Sequence, residues 1–133
     1  MQTLTVEAAL ENLEQATAFV DAFLEARDCP MRTQMQIDLC VEEIFVNIAH
    51  YAYQGKTGTA EIRLSEADGI VELTFLDSGM PYDPLKKEDP DVTLSAEKRQ
   101  IGGLGIFLVK KSMDSVSYRF ENGQNILTMT KAI

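Results

Sequence analysis

Two hairpin turns constrain the fold of this 133-residue chain more than any other feature of its sequence. Each turn is a dipeptide, Asp68-Gly69 or Asn122-Gly123, placed between two segments in which apolar and polar residues alternate. Such dipeptides adopt the left-handed backbone of a two-residue turn, so each predicts a pair of antiparallel strands. The four expected strands cover residues 59–64, 70–76, 115–121 and 126–131, and a fifth short strand is expected at 3–6.

Three segments repeat apolar residues at helical spacing and are predicted to be helices over residues 10–27, 31–53 and 104–113. The resulting order is strand, helix, helix, hairpin, long connection, helix, hairpin, which does not alternate as a parallel α/β chain does. It predicts an α+β fold, a two-layer sandwich in which helices cover one face of a mainly antiparallel, mixed β-sheet. The length fits a single domain over residues 1–133.

The chain is acidic, with a formal net charge of −9. A surface of that sign repels nucleic acid backbones and anionic membranes, so neither is an expected partner. A nucleotide stays compatible, because local backbone N–H groups and a metal ion can override the global field. The N-terminus lacks the pattern of a signal peptide, and Cys29 and Cys40 form no zinc or disulfide pattern, so a cytoplasmic protein is expected.

The second predicted helix carries polar residues among apolar neighbours. Glu43 and Asn47 are four residues apart and therefore lie one turn apart on one side, with His50 a further turn along. One interpretation is a solvated stripe. The other is a ligand site, in which the Asn47 oxygen completes a Mg²⁺ shell and Glu43 orients or deprotonates a nucleophile. A lone histidine is weak support for a site.

Two further segments carry glycines at the ends of predicted elements. Asp77-Ser78-Gly79 follows a strand, where a carboxylate could accept the amino group of adenine and a glycine could lie close to a flat ring. The alternative is an ordinary turn. Gly102-Gly103-Leu104-Gly105 opens the third helix, whose free N–H groups suit phosphate oxygens. The alternative there is a hinge. The segment matches neither a P-loop nor a dinucleotide-binding fingerprint.

Taken in order, these motifs resemble the GHKL ATPase superfamily, which includes histidine kinases and DNA gyrase. The resemblance rests on Glu43-x-x-x-Asn47, Asp77-x-Gly79 and the run GGLGIFLV that starts at Gly102, and it spans nearly the whole chain. Within the superfamily the chain looks most like the anti-sigma factor serine/threonine kinases. The resemblance implies the Bergerat ATP-binding fold, with ATP and Mg²⁺ as cofactors.

The resemblance also implies a role for each motif residue. Glu43 would be the general base, Asn47 would bind Mg²⁺, and Asp77 would accept the adenine amino group beside Gly79. The remaining expected nucleotide contacts are His50, Pro81, Lys98, Arg99, Gly102, Gly103, Leu104 and Gly105. An ATP lid is expected at about residues 81–101, and the two cations Lys98 and Arg99 near its end could reach the γ-phosphate. A complete sensor histidine kinase is disfavoured, since no phosphoacceptor helix pair precedes the domain.

Three functions are weighed. The first is a kinase that phosphorylates a STAS-domain antagonist in a partner-switching system, with a sigma factor as its other partner and a homodimer as its assembly. The second is an ATP-dependent interaction switch that transfers phosphate poorly. The third is an adaptor whose glycine turns are coincidental. His50 departs from the offset usual in the better-known anti-sigma kinases, which puts the sigma factor in doubt.

Overall fold

The structure is a computed structural model that describes residues 1–86 and 103–133. Three helices and five strands make up the described part. The helices are α1 (Leu13–Glu25), α2 (Met31–Asn47) and α3 (Gly103–Ser112), and the strands are β1 (Gln2–Glu7), β2 (Thr59–Ala67), β3 (Ile70–Asp77), β4 (Ser115–Glu121) and β5 (Gln124–Ala132). A 3₁₀ turn, Leu10–Asn12, precedes α1, a π-helical turn, Ile48–Ala52, continues α2, and a second 3₁₀ turn covers Pro84–Lys86.

The strands form one sheet in the order β1-β2-β3-β5-β4, and all four pairings are antiparallel. Both predicted hairpins are present. Their turn residues have positive φ, 53° and 78° at Asp68 and Gly69 and 54° and 76° at Asn122 and Gly123, as a type I′ turn requires. The sheet is therefore wholly antiparallel in its described pairings, where the sequence allowed a mixed one.

One face of the sheet carries the core. Ile62 on β2, Phe75 on β3 and Met129 on β5 are buried with the apolar faces of the helices, while Arg63, Thr74 and the other residues between them lie on the opposite, more polar face. Alternation with a period of two residues places one set inward and the other outward. The predicted α+β two-layer architecture is confirmed.

Helix α2 contributes the predicted apolar stripe to this core, since Ile37, Val41, Ile44 and Ile48 are all buried. The continuous helix expected over residues 31–53 is not regular, however. Its α-helical part ends at Asn47, and Ile48–Ala52 continues as a π-helical turn, which carries i→i+5 hydrogen bonding. Such turns inside helices frequently occur at functional sites.

The two cysteines are free thiols, Cys40 buried in the core and Cys29 half-buried. Burial raises the pKa of Cys40 to about 11, so its thiol stays protonated and unreactive near neutral pH. Cys40 is thus a small core residue. None of the helices in the described ranges combines the length and the apolarity needed to cross a bilayer.

Candidate functional site: a cavity between β3, β5, α2 and α3

A cavity of about 380 Å³ opens between the inner face of the sheet and the helices α2 and α3. Its walls are mainly apolar, with a few polar side chains at one end, which is the usual composition of a small-molecule site. The lining residues are Ile44, Asn47, Ile48, Tyr51, Ala52, Phe75, Asp77, Met80, Tyr82, Pro84, Ile106, Tyr118, Asn125 and Leu127. Two of the residues predicted from sequence, Asn47 and Asp77, therefore share one cavity.

Asp77 is the last residue of β3 and is only 7% exposed. Its Oδ1 atom accepts two hydrogen bonds, from the Gly79 amide at 2.9 Å and from Asn125 Nδ2 at 2.9 Å. Within the described residues no donor is bonded to Oδ2. The carboxyl is thus fixed through one oxygen, and the other can accept a hydrogen bond from a ligand N–H group.

Burial raises the pKa of Asp77 above its ordinary value, and the hydrogen bonds from Asn125 and the Gly79 amide partly offset that effect. Desolvation disfavours the charged form, whereas donors aimed at the carboxylate favour it. A ligand that donated a further hydrogen bond to Oδ2 would act in the same direction as Asn125.

Asn125 holds this end of the cavity together. Asp77 and Asn125 are directly opposite in the β3–β5 register, so both side chains leave the same face of the sheet. The Asn125 amide nitrogen also donates to the Met80 carbonyl at 2.9 Å, and its Oδ1 accepts from the Tyr82 amide at 3.0 Å and from the Tyr118 hydroxyl at 2.5 Å. All four hydrogen bonds agree with one orientation of the amide, because a backbone N–H can only donate.

Sequence reasoning missed Asn125 and Tyr118. A signal for Asn125 existed, since strand alternation puts it on the same face as Leu127 and Met129. The predicted strand starts at Ile126, two residues later than β5 does, and so leaves Asn125 out. The hydroxyl of Tyr118 lies inward for the same reason, because Tyr118 pairs with Leu127 on the inner face.

Gly79 lies against the end of the π-helical turn. A Cβ atom added at Gly79 would overlap the backbone carbonyl of Ala52, and the next residue, Met80, donates its amide hydrogen to the same carbonyl at 2.8 Å. The Tyr53 hydroxyl accepts a hydrogen bond from the Ser78 amide at 2.9 Å. These contacts fix the backbone that follows Asp77, and a larger residue at Gly79 could not approach the helix so closely.

Glu43 and Asn47 lie one turn apart on α2, as predicted, and their side chains are bonded. Asn47 Nδ2 donates to Glu43 Oε1 at 3.2 Å, an orientation that leaves the Asn47 oxygen free of protein donors in the described part of the chain. Asn47 lines the cavity whereas Glu43 does not. The solvated-stripe interpretation fails for Asn47, which is half-buried in the cavity wall.

The carboxyl group of Glu43 lies against α3. A Cβ atom added at Gly105 would overlap that carboxyl group, so the two residues are in close contact only because Gly105 has no side chain. Gly105 is the third residue of α3, where the helix dipole and the free N–H groups favour negative charge. Gly105 of α3 and the Glu43–Asn47 pair of α2 therefore lie side by side.

The other predicted contacts are placed less closely. His50 and Pro81 are exposed and do not line the cavity, and the His50 ring makes an edge contact with Tyr51 instead. Gly103 and Leu104 form the first turn of α3. Lys98, Arg99 and Gly102, with most of the expected lid, lie outside the described residues.

The groups that line the cavity suit both the base and the metal ion of Mg·ATP. Apolar walls and one open carboxylate oxygen suit a flat base that carries an amino group. Across residues 1–86 and 103–133 no group of three or more His, Cys, Asp or Glu side chains could hold a metal ion. The amide oxygen of Asn47 is a hard ligand of the kind Mg²⁺ accepts, provided that phosphate and water oxygens fill the rest of its shell.

The sequence matches the family described as "Histidine kinase-like ATPase domain" over residues 6–131. The chain belongs to this family. The histidine kinase-like ATPase family is the one to which the motifs pointed, so the predicted resemblance is confirmed, and an ATPase domain implies ATP binding.

Relatives of this histidine kinase-like ATPase domain include proteins named as serine or serine/threonine kinases and as an anti-sigma factor. The "Serine/threonine-protein kinase BtrW" of Bordetella bronchiseptica is 31% identical over 100 residues, which cover 74% of this chain and 70% of the relative. The "Anti-sigma F factor" of Halalkalibacterium halodurans is 27% identical over 85% of this chain and 78% of its own. The "Serine-protein kinase RsbW" of Listeria monocytogenes is 29% identical, over 73% of this chain and 64% of its own.

Proposed function

We propose that this domain binds Mg·ATP in the cavity and transfers the γ-phosphoryl group to a serine or threonine of a STAS-type antagonist protein. The observation that carries the proposal is the state of Asp77. One of its oxygens is held by two donors, while the other is open in a cavity that Asn47 also lines. The relatives, of which two are named as kinases and one as an anti-sigma factor, support the same function.

In the proposal, Asp77 recognises the base. Its open oxygen accepts a hydrogen bond from the adenine amino group, and Gly79 lies beside the base. Asn125 holds Asp77 in place and acts as a positioning residue. Phe75 and Ile106 supply apolar walls for the two faces of the base, which is the type of surface that aromatic rings prefer.

Asn47 and Glu43 perform the chemistry in this proposal. The Asn47 oxygen binds the Mg²⁺ ion, which neutralises phosphate charge when bound. Glu43 accepts the proton of the substrate hydroxyl as the oxygen attacks the γ-phosphorus and ADP leaves. Gly103, Leu104 and Gly105 in the first turn of α3, together with Gly102 before it in sequence, offer backbone N–H groups to the phosphates.

Several finer assignments belong to the proposal alone. His50 and Pro81 border the site, Lys98 and Arg99 approach the γ-phosphate, and residues at about 81–101 form a lid in a single domain over 1–133. The protein acts in the cytoplasm as a homodimer within a partner-switching system. A sigma factor is its second partner.

A second candidate function is an ATP-dependent interaction switch without efficient transfer. The position of Glu43 favours it, because that carboxyl group is held by Asn47 and lies against Gly105 instead of lining the cavity. A base in that position would need to move before it could reach a substrate hydroxyl. The two functions differ in catalysis and agree on nucleotide binding.

Calorimetry with Mg·ATP tests the binding step. Wild-type protein should bind, whereas Asn47→Ala should lose the Mg²⁺-dependent part of the affinity because it removes the oxygen that holds the metal ion in this proposal. The control is Gln36→Ala, a half-buried polar residue of α2 outside the cavity wall, which should bind as wild type does. Absence of wild-type binding would remove both candidate functions.

A transfer assay then separates the two candidates. Labelled ATP is incubated with the protein and with the STAS protein encoded nearest to its gene. Glu43→Gln should bind Mg·ATP normally and transfer no phosphate, while the exposed-surface control Glu72→Gln should transfer at the wild-type rate. Normal transfer by Glu43→Gln would show that Glu43 is not the base. Tight binding without transfer in the wild type would favour the switch.

A further inference from the structure

A second concave surface lies on the other side of α2. It is an open groove of about 710 Å³ between the start of α1 and the outer side of α2. We call it the α1/α2 groove. It is lined by Leu10, Glu11, Leu13, Glu14, Thr17, Met35, Asp38, Leu39 and Glu42, and it shares no residue with the wall of the nucleotide cavity.

The floor of the α1/α2 groove is apolar and unusually exposed. Leu10, Met35 and Leu39 have 50%, 59% and 67% of their surface accessible. Met31, Met35 and Leu39 follow one another at intervals of four residues, so α2 carries an outward apolar stripe in addition to its core stripe. Exposed apolar surfaces rimmed by polar residues mark binding sites, and methionine adapts readily to a partner.

The rim of the groove has one sign of charge. Glu11 and Glu14 stand on the α1 side, Asp38 and Glu42 stand on the α2 side, and no Lys or Arg is among the described residues that line the groove. Four carboxylates around an apolar floor repel acidic surfaces and attract basic ones. A second copy of this chain, with its net charge of −9, and an anionic membrane are both poor occupants on this ground.

Asp38 adds a carboxyl group whose hydrogen bonding depends on a proton. It lies against the carboxyl group of Asp21 on α1 with the Oδ1 atom of each residue buried, and the two can bond to each other only while one of them is protonated. Buried carboxylate oxygens normally have partners, because leaving one unsatisfied costs about 1–3 kcal/mol or more. A cationic side chain entering the groove would meet this deficit.

We propose that the α1/α2 groove is a docking surface for an amphipathic segment of a partner protein, with an apolar face for Met35 and Leu39 and a basic side chain that reaches Asp38. Apolar anchors at helical spacing would fill the floor, as in other helix-in-groove complexes. Flanking lysines or arginines would face Glu11, Glu14 and Glu42. The proposal does not rest on nucleotide binding.

The test uses a synthetic peptide of leucine and lysine, about four helical turns long, with all leucines on one face. Two controls have the same length: a scrambled peptide without an apolar face and a peptide with glutamate in place of lysine. Titration into ¹⁵N-labelled protein without nucleotide, followed by NMR, should shift the amides of the groove residues. The amphipathic basic peptide should bind at least about tenfold more tightly than either control.

Variants locate the interaction. Leu39→Ser and Asp38→Asn should each weaken peptide binding about tenfold, because one removes an apolar contact and the other a charge-assisted hydrogen bond. Leu108→Ser is the matched control, since Leu108 is 53% exposed on α3 and lies outside the groove, and it should bind normally. Circular dichroism of each variant checks that the fold is kept.

Several results would overturn the proposal. They are equal binding of the scrambled peptide, amide shifts centred away from the α1/α2 groove, or equal weakening by Leu108→Ser. Sedimentation that revealed a dimer lost in Leu39→Ser would assign the groove to a second copy instead. Because no nucleotide is present, failure here leaves the Mg·ATP result untouched, and failure of Mg·ATP binding leaves this result untouched.

Discussion

The two sides of α2 differ in how completely their polar groups are hydrogen-bonded. On the cavity side, Asp77, Asn125 and Tyr118 hold one another through hydrogen bonds that agree on a single geometry. On the groove side, the carboxyl groups of Asp21 and Asp38 face each other with buried oxygens that only a proton on one of them can join. The first arrangement is complete except for one acceptor, and the second depends on a proton or on a positive charge supplied from outside.

This difference indicates two kinds of recognition. A site whose polar groups are already fixed binds a small rigid ligand with little loss of conformational entropy, as preorganisation requires. A groove with exposed methionine and leucine and uncompensated charge suits a longer, adaptable partner. If the two sides of α2 are independent, a change on one side should leave binding on the other side unaltered.

The largest expected effect is on nucleotide affinity. Asp77→Asn should weaken Mg·ATP binding about 100-fold, because it removes the charged acceptor and a hydrogen bond to a charged group is worth about 1.5–3 kcal/mol. Calorimetry measures the loss. The same variant should bind the leucine–lysine peptide as wild type does, and a parallel loss of peptide binding would mean that the two sides of α2 are not independent.

The next effect is on stability at the cavity side. Asn125→Ala removes the partner of Asp77, the Met80 carbonyl, the Tyr82 amide and the Tyr118 hydroxyl, so the free energy of unfolding should fall by about 1–3 kcal/mol. Urea denaturation measures it. Gln124→Ala, one residue earlier on β5, is the matched control and should change stability little. Equal losses in both variants would contradict the role given to the Asn125 network.

On the groove side, removal of a polar group should raise the stability of the fold instead of lowering it. Burial, followed by the contact with Asp21 and the charge of Glu25, raises the pKa of Asp38 from its ordinary 3.8 to about 7, and Asp38 in turn raises the pKa of Cys29. Between about pH 4 and pH 7 the folded state therefore keeps a proton that the unfolded state has released. Stability should fall as pH rises through this range and level off above it.

Asp38→Asn tests that sign. The variant has no charge to desolvate, so it should unfold at a temperature about 3 °C higher than wild type at pH 8 and at nearly the same temperature at pH 4. Scanning calorimetry at several pH values gives the difference, and Asp28→Asn, an exposed acid beyond α1, is the control. A variant that is less stable than wild type at pH 8 would show that the Asp21–Asp38 contact is stabilising.

The smallest effect on stability is expected at Gly105. Alanine there favours a helix by about 1 kcal/mol over glycine. The atoms nearest to its Cβ would be those at the movable end of Glu43, so the free energy of unfolding should change by less than about 1 kcal/mol. The displaced carboxyl group should nevertheless reduce phosphoryl transfer. The contrast is Gly79→Ala, whose Cβ would meet the fixed Ala52 backbone and should cost about 1–3 kcal/mol. Similar unfolding curves for the two variants would contradict the rigid cavity rim.

Much of this fold could be predicted from local patterns. The two turn dipeptides determined the hairpins, the apolar stripe of α2 identified its core side, and the spacing of Glu43, Asn47, Asp77 and Gly105 pointed to the site. These features are local, or they belong to a motif order that the family match confirms. The nucleotide contacts themselves stay predictions.

What could not be predicted depends on the relative placement of elements distant in sequence. Asn125 reaches Asp77 only through the β3–β5 register, across 48 residues of chain. Asp21 and Asp38 are unremarkable acids on two helices until α1 packs on α2. The groove could not be predicted for a related reason. The outward stripe of Met31, Met35 and Leu39 lies on α2, and a groove forms there only because the start of α1 lies beside it.

The facing positions of Asp77 and Asn125 also have a consequence for folding. If β5 paired with β3 one residue out of register, every β5 side chain would change faces, so Asn125 and Leu127 would leave the cavity and Met129 would leave the core. A chain paired wrongly would then lack the ligand site altogether. Any ligand that binds there lowers the free energy of the correctly paired chain alone, and so favours the correct strand register.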